Sequence, residues 1–331
     1  MSLELTPAIA ILKDHKEVSI PDDKVIYHVG QIGPHFVVMA VSSMIGTTAA
    51  NSVVEHMCRS FQSIKHILVV GIAGGIPGYG LDLQEQIVLG DVVIGVPLND
   101  NGGVKHYEFG AWVEKDKLSV GGHMLHPSST LLTAVNNLRS RHMLKEGARI
   151  PEFLRGLRAN IGDHELLDFH DPGAKHDRLF DDAYSHADRA ISCKVLCNIK
   201  RSRQREDRGS RAARKEDTPR IHYGTIGSAN TLVISSEKRN SLYKDYGVIC
   251  FEMESAGVLS NYQGLVIRGI CDYADSHKNK KWQKYAAATA AACAKEILLL
   301  VPAIHAAQRS NGNQNVNAGS GQGNSVCHTS K

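Results

Sequence analysis

The chain has 331 residues, of which 42% are hydrophobic and 22% charged, as in an ordinary soluble globular protein able to bury a sizeable core. Its formal net charge of +4 is small. Seven cysteines, an odd number scattered through apolar segments, argue against a secreted framework of disulfides. The N-terminus also lacks a charged and then apolar signal sequence, so we expect a cytoplasmic protein.

The first half of the chain alternates between predicted strands and helices. The segments "VIYHVG" and "HFVVMAVS" are predicted to be adjacent strands joined by the turn residues Gly33 and Pro34. Helical spacing of apolar residues follows over 46–61. The apolar run 66–75 is a predicted strand that ends in a glycine turn. "QIVLGDVVIGVP" predicts a strand pair or one strand bent at Gly90.

The second half continues the alternation. Helices are predicted at "PSSTLLTAVNNLRSRHM" and 236–246, and strands at "IHYGTIGSANTLV", "YGVICFEME" and "GLVIRGICD". The Ala-rich segment 285–304 is broken by Lys295 and Glu296, so it is a packed helix and no membrane partner is expected. Strands that are apolar on both faces and alternate with helices predict an α/β sheet covered on both sides.

Two segments do not fit this layout. Residues 145–220 are polar, His-rich and charged, and are predicted to be an insertion within a domain that spans 1–304. The low-complexity tail 305–331 is predicted to be disordered. Within the insertion, the basic segment 199–217 is interpreted as a solvated loop. No aromatic residues interleave it, so no nucleic-acid partner is expected.

A pair of cysteines in the insertion raises the question of a metal site. Cys193 and Cys197 are four residues apart and near His186, but no second Cys pair completes a zinc motif. Metal binding is therefore only weakly indicated. Buried or free thiols are the default interpretation, and neither a metal nor an organic cofactor is expected.

The turn "VVGIAGGIP" follows a predicted strand, where a phosphate-binding loop would lie. It matches neither the GxGxxG nor the Walker pattern, so it does not predict a dinucleotide or P-loop site. Small residues such as Ala73 and Gly74 would let the backbone approach a flat ligand closely. A plain tight turn explains this stretch equally well.

Acidic residues at strand ends are more informative. Glu252 and Glu254 are two residues apart on an extended segment and should point to one side, and Asp272 closes the next strand. Ligands of open α/β sheets bind at the carboxyl ends of strands. Helix capping or salt bridging would explain each acid singly. Three acids at neighbouring strand ends instead favour a ligand site.

The ordered motifs "GIAGG", "LGDVVIG", "FEMESAG" and "VIRGICDYAD" resemble the nucleoside phosphorylase and nucleosidase superfamily, which includes methylthioadenosine nucleosidases. The resemblance covers about 3–303 and is greatest to a branch often fused to NACHT, NB-ARC or ankyrin modules in fungal proteins. It implies a three-layer sandwich with a central mixed β-sheet flanked by helices. In that family an apolar strand precedes the glutamate that Glu4 matches, and because the sequence here starts at Met1 and Ser2 we expect that first strand to be missing.

The resemblance also implies roles for the site residues. Asp272 would protonate the purine, Glu254 would hold the ribose hydroxyls, Met253 would line the sugar and Glu252 would support the pocket. The expected contacts of the base are Leu232, Val233 and Asn230, with Ala73 and Gly74 from the glycine turn. The expected partner is thus a purine nucleoside or nucleotide, and a homo-oligomer is expected from the family.

Two reactions are open to such a site. Phosphorylases of the family carry a Ser in the glycine turn where this chain has Ile72, so hydrolysis is favoured and a phosphate-dependent phosphorylase is the alternative. The segment "LELTPAIAIL" places Glu4 as the residue that activates water. Without the first strand, Glu4 is expected on a frayed terminus, which would impair catalysis and favour a non-catalytic sensing module.

The substrate is open at its 5′ end. A methylthio group would require an apolar pocket, whereas a nucleotide would require cations. Lys175 or Arg178 is predicted to approach that end if the substrate carries a 5′-phosphate.

Overall fold

The computed structural model describes residues 2–303 except 99–100, 115–116, 123, 145–146, 162–167, 189 and 211. The tail that the sequence predicts to be disordered, 305–331, lies outside the described residues. The assignment of 1–304 to one domain with an insertion stays a prediction.

The secondary structure of the described residues follows the alternation seen in the sequence. The strands are β1 Lys13–Ser19, β2 Ile26–Ile32, β3 His35–Met39, β4 Ile67–Gly75, β5 Gly78–Tyr79, β6 Glu85–Gln86, β7 Val92–Gly95, β8 Val104–His106, β9 Gly110–Glu114, β10 Lys117–Val120, β11 Leu179–Phe180, β12 Ser202–Arg203, β13 Ile221–Ser228, β14 Val248–Glu252 and β15 Gly264–Asp272. The α-helices are α1 Ser2–Ala10, α2 Thr47–Ser60, α3 Ser129–Met143, α4 Ile150–Ile161, α5 Cys193–Leu196, α6 Ser236–Tyr246, α7 Ser255–Leu259 and α8 Gln283–Leu298. Short 3-10 turns lie at Leu81–Leu83, Ala174–His176, Ile199–Arg201 and Glu206–Arg208.

The central sheet is mixed. Its strand order is β14-β4-β15-β7-β13-β8, and β14 also pairs with β13, so that five strands close into a ring. Strands β4 and β15 are parallel, whereas β7 is antiparallel to β15 and β14 is antiparallel to β4. Helix α8 packs on β15 and β4, α6 packs on β14, and α1, α3 and α4 pack on α8. The predicted mixed sheet flanked by helices is confirmed.

Strand β4 carries the glycine turn at its end. It pairs with β15 from Ile67 to Gly74, and on its other side β14 pairs with Gly74 and Gly75. The strands β1, β2 and β3 form a separate antiparallel sheet, in which the predicted hairpin of β2 and β3 is confirmed.

The Ala-rich composition of α8 follows from its packing. A Cβ added at Gly269 of β15 would collide with the carbonyl oxygen of Ala286, so the helix axis lies unusually close to the sheet. Ala286, Ala288 and Ala290 are completely buried there, where larger side chains would force the two elements apart. No helix in the described residues is both long and apolar enough to cross a bilayer.

The segment assigned to the insertion contributes to this core. Helix α4 buries Phe153, Leu154 and Leu157 in the main hydrophobic cluster and packs against α8 and α1. The polar composition of 145–220 as a whole hid this amphipathic helix. Its apolar residues recur at helical spacing, which is the signal that could have revealed it.

The interpretation of 199–217 as a solvated loop is wrong for three of its arginines. Arg205 and Arg208 are buried against Asp177, at 2.8 and 2.7 Å respectively. Arg214 is buried against Asp91, with Nε donating to Oδ1 at 2.9 Å. Buried cations require acid partners. The pair with Asp91 attaches the basic segment to the turn before β7, and the pairs with Asp177 attach it to another part of the insertion.

Candidate active site

Glu252 ends β14 and is buried, with 5% of its surface exposed. Its carboxylate accepts hydrogen bonds from the backbone N–H of Ser255 at 3.0 Å, from the Ser255 hydroxyl at 2.8 Å and from the Glu254 N–H at 3.1 Å. It therefore fixes the first turn of α7 and the backbone of Glu254. The role of Glu252 in supporting a ligand pocket stays a prediction.

A buried arginine lies at the centre of the acidic cluster. Arg268 of β15 is 2% exposed and donates to Glu252, and its Nη1 lies 3.4 Å from Glu254. Burial opposes the charge of Arg268, but the negative charges of Glu252, Glu254 and Glu4 raise its pKa above the usual value. We define these four residues as the glutamate–arginine cluster.

Glu4 belongs to this cluster, contrary to the expectation of a frayed terminus. Helix α1 packs against α8, α4 and β4, and Glu4 Oε1 accepts a hydrogen bond from the backbone N–H of Ile72 at 3.0 Å. A Cβ added at Gly71 would meet both Glu4 and Arg268, so the two side chains share one face of β4. Glu4 therefore lies beside β4 and Arg268, and its role in activating water stays a prediction.

Glu254 is the more accessible acid, with 26% of its side chain exposed. It follows the end of β14 and caps α7. Burial raises the pKa of Glu254, the charge of Arg268 counteracts this, and the charges of Glu252 and Glu4 add to the rise. A partly exposed carboxylate held in this way can accept hydrogen bonds from a ligand.

Asp272 ends β15 on the other side of the glycine turn and is 3% exposed. Its Oδ1 accepts a hydrogen bond from the Ala274 N–H at 2.9 Å, and its Oδ2 lies 3.0 Å from the Lys278 ammonium. A Cβ added at Gly74 would lie 2.6 Å from Oδ1, so the carboxylate needs a glycine there. In this structure the group that closely approaches the backbone of Gly74 is the Asp272 carboxylate. The approach of a flat ligand to this turn stays a prediction.

The residues predicted to contact the base lie after β13. Val233 is buried in a cluster with Ile76 and Phe251, whereas Leu232 is 46% exposed. The Asn230 amide oxygen accepts from the Thr47 backbone N–H at 3.0 Å and so caps α2. This capping role was missed in the sequence.

Ala73 and Met253 are the other two residues predicted to line the site. Ala73 is buried in β4 opposite Ile270, and Met253 is half-buried between Glu252 and Glu254. Ala73, Gly74, Glu252, Met253, Glu254 and Asp272 therefore lie at or beside the ends of β4, β14 and β15, whereas Asn230, Leu232 and Val233 follow β13.

Sequence reasoning missed Arg268, Lys278 and Ser255. Arg268 is a lone charge in the apolar run "GLVIRGIC", and a buried cation in a strand requires acids nearby. That signal, together with the neighbouring "FEMES" acids, could have predicted the glutamate–arginine cluster. Lys278 depends on a loop conformation that the pattern does not encode, and Ser255 contacts Glu252 from the first turn of α7.

Comparison with known proteins agrees with this architecture. The family model "Phosphorylase superfamily" matches residues 160–302. A 5′-methylthioadenosine/S-adenosylhomocysteine nucleosidase from Neisseria meningitidis, in complex with methylthio-immucillin-A, superposes with a TM-score of 0.55 at 18% identity, covering 90% of this chain and 95% of that one. Residues 160–302 are thus similar to the phosphorylase superfamily, and the fold of the chain is that of the nucleosidase it superposes on.

Two further matches extend the comparison. Futalosine hydrolase of Helicobacter pylori gives a TM-score of 0.54 at 15% identity, covering 90% of this chain and 94% of that one. A nucleotide-binding leucine-rich repeat (NLR)-like protein from Hyaloscypha variabilis is 36% identical over 301 residues. That alignment covers 90% of this chain but 28% of the relative, which is consistent with the branch fused to NLR-type modules.

Proposed function

We propose that the chain hydrolyses the N-glycosidic bond of a purine nucleoside or nucleotide and releases the base. One observation carries the proposal: Glu4 contacts Ile72, and Asp272 contacts Gly74, two residues further along β4. Two residues of extended strand span roughly 7 Å. Glycoside hydrolases that activate a water separate their two carboxyl groups by about 6.5–9.5 Å.

Each carboxylate has a distinct task in this reaction. Glu4 takes a proton from the water that attacks the ribose carbon, and Asp272 gives a proton to the purine as the bond to the base breaks. The Lys278 ammonium, 3.0 Å from Asp272, stabilises the carboxylate that remains. The water oxygen stays on the ribose, so the products are the free sugar and the protonated base.

Glu254 holds the ribose in this proposal. Its accessible carboxylate accepts hydrogen bonds from two ribose hydroxyls, while Glu252 fixes its backbone and Met253 lines the sugar. The base is proposed to lie against Leu232, Val233, Ala73 and Gly74, with Asn230 as a polar contact.

A 5′-phosphate would be accommodated by the cations of the insertion. Burial lowers the pKa of Lys281, and the positive charges of Lys194, Lys175 and Arg178 lower it further. These four cations therefore lie near one another. Lys281 belongs to the loop that begins after Asp272. This positive cluster supports the hypothesis that Lys175 or Arg178 approaches the 5′ end.

The first experiment is an assay of base release from adenosine, methylthioadenosine, inosine and ATP, with and without inorganic phosphate. We expect release that does not depend on phosphate, because the side chain of Ile72 offers no hydrogen-bond donor to the anion. Release only in the presence of phosphate would establish the alternative, a phosphorylase. Release from ATP but not from adenosine would support the role of the cations at the 5′ end.

Glu254→Gln tests the ribose contact. Hydrogen bonds to charged groups contribute about 1.5–3 kcal/mol, so affinity for a non-hydrolysable nucleoside should fall about 10- to 100-fold while affinity for free base is retained. Calorimetry measures both, and Glu237→Gln on exposed α6 is the control. Equal losses for nucleoside and base would contradict the assignment.

The wild-type protein should also lose nucleoside affinity with decreasing pH. Burial raises the pKa of Glu254 above that of an ordinary glutamate, so its carboxylate protonates at a higher pH. Ribose binding, which needs the ionised form, is therefore complete above the raised pKa and declines below it. In Glu254→Gln this dependence should disappear.

The similarity to an NLR-like protein favours a second candidate, a ligand-sensing module. A folded protein that binds nucleoside but releases no base would support it. A homo-oligomer is also proposed, because Met44, Ile45 and Phe109 expose apolar side chains. Free thiols throughout the described cysteines agree with the proposed cytoplasmic location.

A further inference from the structure

Four side chains with metal-binding atoms converge beside the loop that follows β15. His186, Cys193, Cys197 and His277 place one ligand atom each within 4.8 Å of one another. Cys193 begins α5 and Cys197 directly follows its last residue, so one helical turn brings both sulfur atoms to the same side. His186 precedes that turn, and His277 comes from 80 residues further along the chain. Neither cysteine is in a disulfide.

The distances fit a tetrahedral ion. Zinc bound at about 2.3 Å from sulfur and about 2.0–2.1 Å from nitrogen separates neighbouring ligand atoms by roughly 3.6 Å. The Cys197 sulfur lies 3.4 Å from Nδ1 of His277, and the Cys193 sulfur lies 3.7 Å from it. Nδ1 of His186 lies 3.9 Å from the Cys193 sulfur and 2.9 Å from the Cys197 sulfur. Three of these four distances match, and the fourth requires a small outward shift.

Both imidazole rings are oriented for metal binding. Nε2 of His186 lies 2.8 Å from the carbonyl oxygen of Ile191, and Nε2 of His277 lies 2.7 Å from that of Tyr184. A carbonyl can only accept, so Nε2 carries the proton in both rings and Nδ1 presents its lone pair to the cluster. Metal-ligating histidines commonly have such a second hydrogen bond.

The ring of His277 is also fixed by packing. Phe180 stacks on it with a centroid separation of 3.8 Å and an interplanar angle of 13°. Cys197 and His277 are buried, while His186 and Cys193 are half-buried, so an ion could enter from the side of the insertion.

We propose that His186, Cys193, Cys197 and His277 bind one structural Zn²⁺ ion. Two thiolates and two imidazoles in a closed tetrahedral set are typical of zinc, and a sequence search for paired CxxC motifs does not detect it because His277 is remote in sequence. The site joins the insertion, which supplies His186 and both cysteines, to the loop after β15, which supplies His277. In that loop Lys278, next to His277, forms the ion pair with Asp272.

The ion would act on the active site through this loop. Asp275 Oδ1 accepts from the His277 N–H at 2.9 Å, and the Tyr273 hydroxyl donates to Asp177 at 2.7 Å. A bound ion would add a fixed point to these contacts and hold Lys278 against Asp272. Zinc is therefore assigned a positioning role and not a catalytic one.

The test is the zinc content of the full chain, purified without a metal-affinity tag, measured by mass spectrometry of the elements. We expect one zinc ion per chain, and less than about a tenth of that in Cys193→Ser combined with Cys197→Ser, since both thiolates are lost. Cys58→Ser, a half-buried cysteine of α2 outside the cluster, should retain the ion.

Two further measurements do not depend on the folding of the variants. Replacement of zinc by Co²⁺ in the wild-type protein should give the intense visible bands of a tetrahedral site with thiolate ligands. A strong chelator should lower the melting temperature of the wild type and of Cys58→Ser. Absence of zinc in the wild type, octahedral cobalt bands, or a Cys193–Cys197 disulfide under non-reducing mass analysis would each overturn the proposal.

Discussion

Asp272→Asn is expected to lower the rate of base release by a factor of about 10² to 10⁴, the usual contribution of a positioned general acid. The asparagine is nearly the same size, so it can still accept the 2.9 Å hydrogen bond from Ala274 and fit against Gly74. It cannot give a proton to the leaving purine. Steady-state assays with the best substrate measure the rate, and calorimetry with free base should show retained binding.

The control for this variant is Asp245→Asn, an exposed acid on α6. It should leave the rate unchanged. A rate for Asp272→Asn within twofold of the wild type would contradict the assignment of Asp272 as the acid. Loss of base binding together with the rate would instead indicate that Asp272 positions the base.

Local patterns sufficed for the elements whose apolar residues follow one period. Helix α6 has the predicted bounds Ser236–Tyr246. Helix α2, predicted over 46–61, begins one residue later and ends one residue earlier than predicted. The three acids could be recognised from the sequence because Glu252 and Asp272 end apolar strands and Glu254 follows two residues after Glu252. These features depend on residues close together in sequence. The approach of the three acids to one another could not be recognised, since β14 is antiparallel to β4 whereas β15 is parallel to it.

Features that join distant segments could not be predicted in this way. Arg205 and Arg208 pair with Asp177 in another part of the insertion, and Arg214 pairs with Asp91 just before β7. A charge-rich segment with buried arginines has the same composition as a solvated one. His277 likewise meets Cys197 only through the fold. The insertion thus looked independent of the site in sequence, whereas its side chains hold the loop that follows Asp272.

The position of Glu4 brings a third carboxylate close to Arg268, beside those of Glu252 and Glu254. Glu4 and Glu254 are presented by different elements, and both approach Arg268, which is also paired with Glu252. A single buried cation therefore offsets the mutual repulsion of three carboxylates. The proposed water activation and ribose binding both depend on this one residue, although it contributes to neither reaction step directly.

Arg268→Met is accordingly expected to lower the free energy of unfolding by about 3–5 kcal/mol, because removing one partner leaves buried carboxylates without a counter-charge. Urea unfolding at neutral pH measures the change. The matched control is Arg149→Met, whose pair with Glu152 is exposed, at 49% and 56% of the two side chains. Exposed pairs contribute about 0–1 kcal/mol, so the control should change little.

The pH dependence of the same variant separates charge from shape. Burial already raises the pKa of Glu254 and the charge of Arg268 counteracts this, so without Arg268 the pKa of Glu254 should be higher still, and its protonation at lower pH would remove part of the uncompensated charge. The stability deficit of Arg268→Met should therefore shrink between neutral and mildly acidic pH, whereas a deficit caused by altered packing would not. Arg268→Lys keeps the charge but loses the planar fork of donors, so its free energy of unfolding should lie between those of the wild type and Arg268→Met. A deficit no larger than that of Arg149→Met would show that the three acids tolerate one another without the arginine.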